Sequence, residues 1–259
     1  MKKYFAATVG TEFEQYVREK NLGIEIDFFC TAENLKGEKY DSCCAEIERL
    51  MNDCRISGDD MILHAPFNEL HPAAVDEEAL LLAKKRMRQS YSVCEKFGIK
   101  KMVVHSGYLP FVYFKSWHID KSVEFWHEFM KGKPGDFTIC IENVLEDEPY
   151  MIAEMMEKIN EERQWPNIGI CVDIGHANCM SKEDIHTWIR VLSPYIKHMH
   201  IHNNDGEHDL HASFDKGTMN IESVLNFTER ICIGDITYTS EVIDCGGGIA
   251  WLERKGYLK

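Results

Sequence analysis

The chain alternates between short β-rich runs and longer amphipathic stretches in which apolar residues recur every three or four positions. The short runs cover 4–9, 23–29, 60–65, 100–105, 137–143, 168–174, 196–202 and 236–242, and they predict buried strands. The longer stretches predict helices near 11–20, 43–53, 76–97, 121–131, 149–163, 182–192, 221–231 and 247–255. The clearest, 76–97, carries acids in its first turn and meets Gly98 directly after its end, which favours a helix at both termini. Strand and helix in this alternation predict an α/β protein, a single (β/α)8 TIM-barrel domain over 1–259. A doubly wound open sheet is the competing architecture, but it would not gather residues from six different strand ends. Two longer connections stand out. Residues 106–120 are aromatic-rich and 203–220 are polar, and in a barrel both lie over the C-terminal face.

Composition narrows the partners. Net charge is −14, from 43 acidic against 29 basic residues, which disfavours nucleic acid and anionic membranes. The 10 cysteines are dispersed without a CxxC, and Cys140, Cys171 and Cys232 sit inside apolar runs. That pattern suits free thiols in a reducing cytoplasm. After its two lysines the start of the chain has an apolar stretch too short for a signal peptide. No run approaches the roughly 20 residues of a transmembrane helix. A cytoplasmic protein is expected.

Metal-ligating residue types recur in one position, at or just past the end of a strand-like run. They are His64 (MILHAP), His105 (MVVHSG), Glu142 (TICIENV), Asp173 and His176 (ICVDIGHAN), His200 (KHMHIHNN), Asp209 and His211 (DLH) and Glu241 (TSEV). Alternation puts Glu142 on the face of Cys140, Asp173 on that of Cys171, and His198, His200 and His202 on one face. An ionised carboxylate inside a barrel is strongly penalised unless paired or metal-bound. Imidazoles and carboxylates without cysteine suit Zn, Mn, Fe or Co, with one to three divalent ions per chain. Taken singly, each residue reads more simply as a hydrogen-bonded histidine or a salt-bridge partner, and DxxH or DxH arises by chance. The conjunction across strand ends carries the reading. His198 and His202 are expected to be structural or supporting, although His202 can exchange roles with His200.

The motifs LHAP, VVHSG, IEN, VDIGHAN, HMHIHNNDG with DLH and KGTMNIE, and SEV span residues 60–242. As an ordered set they resemble the xylose isomerase-like TIM barrels, which include sugar isomerases and epimerases and the endonuclease IV group of abasic-site nucleases. Resemblance to the isomerase and epimerase branch implies one divalent metal on Glu142, Asp173, His200 and Glu241. It also implies that Glu142 and Glu241 act as the proton-transfer pair and that His176 holds a substrate oxygen. Resemblance to endonuclease IV implies three metals: one on His64, His105 and Glu142; a second, bridged by Glu142, on Asp173, His200 and Glu241; and a third on His176, Asp209 and His211. The segment PFNELHPAAVDEE is acidic where a DNA-facing loop should be basic. The expected function is therefore a metal-dependent isomerase or epimerase of a small sugar or sugar phosphate. The alternatives are a di- or trinuclear hydrolase of a phosphoester other than DNA, and a non-catalytic ligand-binding barrel.

Substrate contacts are expected from Tyr108 and Trp117, with Phe67, Phe111 and Trp251 as further wall candidates, although plain packing explains any one of them. Gly247, in the run 245–248 before the last helix, is a candidate phosphate cradle. A flexible closing turn is the plainer account. Lys216 is a candidate anion partner, against the plainer reading of one lysine in a polar loop.

Overall fold

Every predicted strand forms, and each is short. The computed structural model describes residues 2–161 and 166–258. Its strands are β1 (Tyr4–Ala7), β2 (Gly23–Ile26), β3 (Met61–His64), β4 (Lys101–His105), β5 (Thr138–Glu142), β6 (Ile168–Asp173), β7 (Ile196–Ile201) and β8 (Thr237–Ser240). They pair in chain order, all parallel, and β1 also pairs with β8, Tyr4 opposite Tyr238, so the sheet closes into a barrel.

The two-residue period of each strand sorts side chains into two populations. Ile139 and Ile141, Ile170 and Val172, and Met199 and Ile201 face outward and join one large core with the helices. The alternate residues Phe5, Ile62, Val103, Cys140 and Cys171 form a separate fully buried cluster inside the barrel. Continuing up the same inner faces places Glu142, Asp173 and His200 above that cluster. The alternation that makes the strands therefore also aims the candidate ligands inward.

Among the described residues the helices are α1 (Phe13–Lys20), α2 (Gly37–Cys54), α3 (Glu77–Phe97), α4 (Lys115–Met130), α5 (Tyr150–Glu161), α6 (Ile174–Met180), α7 (Ile185–Leu192), α8 (Ile221–Ile231) and α9 (Cys245–Arg254). Helix α3 is capped by Asp76, which accepts from the Ala79 amide, and is stopped by Gly98 at φ 69°. Positions 162–163 of the helix expected over 149–163 lie outside the described residues.

Two departures affect the site. Helix α4 begins at Lys115, so the aromatic connection expected over 106–120 ends earlier. The reason is a helical apolar stripe, in which His118, Ile119, Ser122, Phe125, Trp126, Phe129 and Met130 are all buried. Helix α6 was not expected. It exists because Asp173, the last residue of β6, also caps it by accepting from the His176 amide at 2.7 Å. The same carboxylate thereby ends a strand and starts a helix. Among the described residues no helix is long and apolar enough to cross a membrane, and the cysteines are free.

Candidate metal centre

All the strand-end candidates come together at the C-terminal mouth of the barrel. Glu142 is their hub, 1% exposed. Its Oε2 lies 3.1 Å from His64 Nε2 and 3.4 Å from His105 Nε2, while its Oε1 lies 3.3 Å from both His176 Nδ1 and His200 Nδ1. His200 Nδ1 is also 3.2 Å from Glu241 Oε1 and 3.7 Å from Asp173 Oδ2. That nitrogen is buried with no hydrogen-bond partner, so one imidazole atom stands among three carboxylates without bonding any of them well. Donors about 2.0–2.2 Å from a shared zinc ion would be roughly 3.4 Å apart in a tetrahedral shell. The distances from His200 Nδ1 to the three carboxylates are close to that spacing, as for donors around a divalent cation.

A second cluster closes over the first. Asp209 Oδ2 is 3.1 Å from His211 Nε2 and 3.4 Å from His176 Nε2. His202 Nε2 lies 3.2 and 3.3 Å from the two Asp173 oxygens, and its ring stacks on His211 at 4.1 Å. His202 is thus grouped with Asp209 and His211 as well as supporting Asp173. Gly175 makes room for it, because a Cβ there would sit 1.9 Å from His202 Cε1.

The loop that delivers Asp209 and His211 is folded by Asn203, which is fully buried. Its side-chain amide donates to the carbonyls of Phe214 and Met219, both at 3.0 Å, and its Oδ1 accepts from the Met219 amide at 3.2 Å. Its backbone forms an antiparallel bridge with Ala212. His211 itself takes φ 46°, a left-handed conformation unusual for a residue with a Cβ. Its Nδ1 lies 2.9 Å from the Glu241 carbonyl, which holds the ring over the site.

The cavity above these groups measures about 460 Å³ and is lined by Asp27, His64, His105, Glu142, His176, Asp209, His211 and Glu241, with Val9, Cys30, Phe67, Val144 and Ile243 between them. Asp173, His200 and His202 are fully buried behind this lining, beside His176, Glu142 and Asp209 respectively. Phe67 stacks on His105 at 4.1 Å and so belongs to the wall. Of the other expected contacts, Tyr108 is buried against His118 of α4, and the Trp117 indole donates to the Ala73 carbonyl. Phe111 is fully exposed and Trp251 packs on Phe214. Lys216 is absent from the lining, as is Gly247, whose amide donates to Asp244 Oδ1 at 3.0 Å. An acid thus occupies the place where a phosphate would have been cradled.

Electrostatics separates the two glutamates. Burial works against charge on Glu142, but the neighbouring imidazoles of His200, His105 and His176 hold its carboxyl well below the usual range. Burial pushes Glu241 up, reinforced by the charges of Asp173 and Glu142 and opposed by His200. Burial alone would lower His176, but Asp173, Asp209 and Glu142 raise it well above an ordinary histidine. His105 is pushed down to about 3, chiefly by burial, and stays neutral. Burial and the charge of Glu25 push Asp27 up to about 7.

Glu25 and Asp27 were missed in the sequence, although the signal was there. Glu25 is a carboxylate between Ile24 and Ile26 in an otherwise apolar strand, and Asp27 directly follows the end of β2. Asp27 accepts from the Thr8 hydroxyl at 3.1 Å and lines the cavity.

Comparison with known proteins agrees with this architecture. The family model described as xylose isomerase-like TIM barrel matches residues 12–242. An uncharacterized protein of Methanocaldococcus jannaschii is 27% identical over 182 residues, 66% of this chain and 61% of that protein, so the match spans less than two thirds of the relative. A probable endonuclease 4 of Ureaplasma parvum is 24% identical over 221 residues, 74% of this chain and 68% of that one. Among solved structures, a D-tagatose 3-epimerase-like protein superposes with a TM-score of 0.76 at 22% identity, covering 99% of this chain and 96% of that one. A Thermus thermophilus protein soaked with zinc chloride gives 0.72 at 21% identity, covering 98% of each chain.

Proposed function

The chain belongs to the xylose isomerase-like TIM barrel family, and from that premise we propose that it is a divalent-metal-dependent isomerase or epimerase of a small sugar. Glu142, Asp173, His200 and Glu241 would hold the cation. When bound, it supplies Lewis acidity toward a sugar carbonyl and the neighbouring hydroxyl, making the proton on the intervening carbon easier to remove. The observation that carries the reading is the pair of glutamates. Both line one cavity, and both flank His200 Nδ1, at 3.3 and 3.2 Å. Glu142 and Glu241 form the proton-transfer pair, one taking the carbon proton and the other returning one from the opposite face. His176 positions a substrate oxygen.

The wall chemistry bears on substrate. The cavity lining has no lysine or arginine among the described residues, and the Gly247 amide is already engaged. These features support an uncharged sugar over its phosphate ester. The resemblance to a D-tagatose 3-epimerase-like protein supports a ketose.

The test is incubation of zinc- or manganese-loaded protein with ketoses in deuterated water. We expect deuterium at one carbon of the recovered sugar, abolished by Glu142→Gln and by Glu241→Gln. Full exchange in either variant would sink the mechanism.

One observation favours a second reading, a multinuclear phosphoester hydrolase. Glu142 divides its two oxygens between His64 and His105 on one side and His176 and His200 on the other, as a bridging carboxylate would. Elemental analysis separates the two. One tightly held metal per chain supports the epimerase, whereas two or three together with release of phosphate from a phosphoester support the hydrolase.

A further inference from the structure

Beneath the proposed metal ligands the barrel interior is polar where packing alone would make it apolar. Glu25 is fully buried inside the barrel. Its Oε1 lies 3.0 Å from His200 Nε2, its Oε2 lies 3.1 Å from His198 Nε2, and the Thr239 hydroxyl donates to Oε2. The chain of contacts continues downward. His198 Nδ1 is 2.6 Å from Thr237 Oγ1, and Lys101 Nζ donates to that same oxygen at 2.7 Å and to the Lys197 carbonyl at 3.1 Å. A column of side chains, Lys101–Thr237–His198–Glu25–His200, thus runs up the barrel axis to the site.

Such a column is expensive. A buried carboxylate costs several kcal/mol in desolvation, and apolar residues of similar volume often do as well or better for stability. Ordinary barrel interiors are layers of branched aliphatics. What the column does is fix one ring. With Nε2 committed to Glu25, His200 can turn only Nδ1 toward Glu142, Asp173 and Glu241. In metal sites, a ligating histidine characteristically donates its other N–H to a carboxylate, which sets tautomer and ring direction.

We infer that Glu25 is a positioning residue that holds His200 as an Nδ1 ligand, and that His198, Thr237, Thr239 and Lys101 hold Glu25 in turn. This inference rests on the proposed metal reading of the site. In this role Glu25 acts through His200 and is not itself a ligand. Its effect passes entirely through the orientation of His200, so it appears in metal affinity before it appears in turnover.

The test uses the full chain and zinc alone. Zinc affinity is measured by competition with a chromophoric chelator for the wild type and for Glu25→Gln, which preserves shape but presents an amide to His200. The variant should bind zinc roughly 10–100-fold more weakly, the usual loss on removing such a partner. In parallel, long-range ¹H–¹⁵N spectra of the zinc-loaded wild type should show His200 metallated at Nδ1 and protonated at Nε2. Unchanged affinity in a folded Glu25→Gln variant overturns the role of Glu25 alone. Coordination of His200 through Nε2, read on the wild type, overturns it even if the variant does not fold. A wild type that takes up no zinc overturns the proposed reading of the site and this inference together.

Discussion

Gly175→Ala isolates the packing that sets the upper cluster. A Cβ on Gly175 would lie 1.9 Å from His202 Cε1 and 2.4 Å from its Nε2, against an ordinary contact of about 3.5 Å or more. Neither side yields cheaply. His202 is fully buried, paired to Asp173 and stacked on His211. Gly175 lies in the first turn of α6, between the cap Asp173 and His176, so any backbone shift carries two candidate ligands with it. Inserting a methyl into a packed interior costs roughly 1–3 kcal/mol, and this overlap belongs at the upper end. At about 2–4 °C per kcal/mol for a chain of this size, the expected fall in melting temperature is roughly 4–12 °C. The assay is thermal unfolding of the metal-free protein by circular dichroism, followed by zinc affinity of the same variant. Gly135→Ala is the control, because nothing lies within 4 Å of a Cβ there, and it should be neutral or mildly stabilising. If Gly175→Ala melts within 1 °C of the wild type, roughly the error of such a measurement, the argument that α6 and His202 lock each other is wrong.

Three further predictions follow from other parts of the molecule. His118 is buried in α4 and burial, with help from His71, lowers it to about 4. The unfolded chain therefore takes up a proton near pH 6.5 that the native state refuses until about pH 4. Stability should fall across that interval by at most about 3 kcal/mol, and His118→Phe should flatten the profile in pH-dependent urea unfolding. Asn203→Ala removes the amide that holds Phe214 and Met219, so it should cost roughly 2–4 kcal/mol and open 203–220 to limited proteolysis. An intact loop under protease would count against that hub role. Finally, because the lining lacks lysine and arginine among the described residues, ketoses should be turned over with higher kcat/KM than their phosphates. The reverse order would remove the case for an uncharged substrate.

Much of this molecule is legible in its sequence, and the reasons are local. A strand buried on both faces reads as a continuous apolar run, so β5 and β6 stand out. The polar residues that end those runs are conspicuous because nothing in a barrel wall calls for them. Their convergence follows from closure alone, which is why Glu142, Asp173, His200 and Glu241 meet as expected. Glu25 escapes this logic because it sits within its run rather than at the end, where a carboxylate is easily dismissed as a core salt bridge. Tyr108, Trp117 and Gly247 lie away from the cavity lining for a different reason. Whether an aromatic on a loop faces a cavity or a helix depends on where that helix starts, and α4 starts earlier than its aromatic density suggests. Likewise the glycine turn at Gly247 is sealed by Asp244, a partner close in sequence whose direction no spacing rule specifies.

Asp173 has a consequence of its own. Its Oδ1 accepts the His176 amide and thereby starts α6, while its Oδ2 faces His200 Nδ1. Anything that draws the carboxylate downward loosens the first turn of the helix above, and anything that neutralises it there weakens the cap. The His176 amide proton is consequently a built-in gauge of what occupies the site. Its exchange rate with solvent reports the state of the centre from the backbone, without a substrate, a chromophore or an assay of turnover.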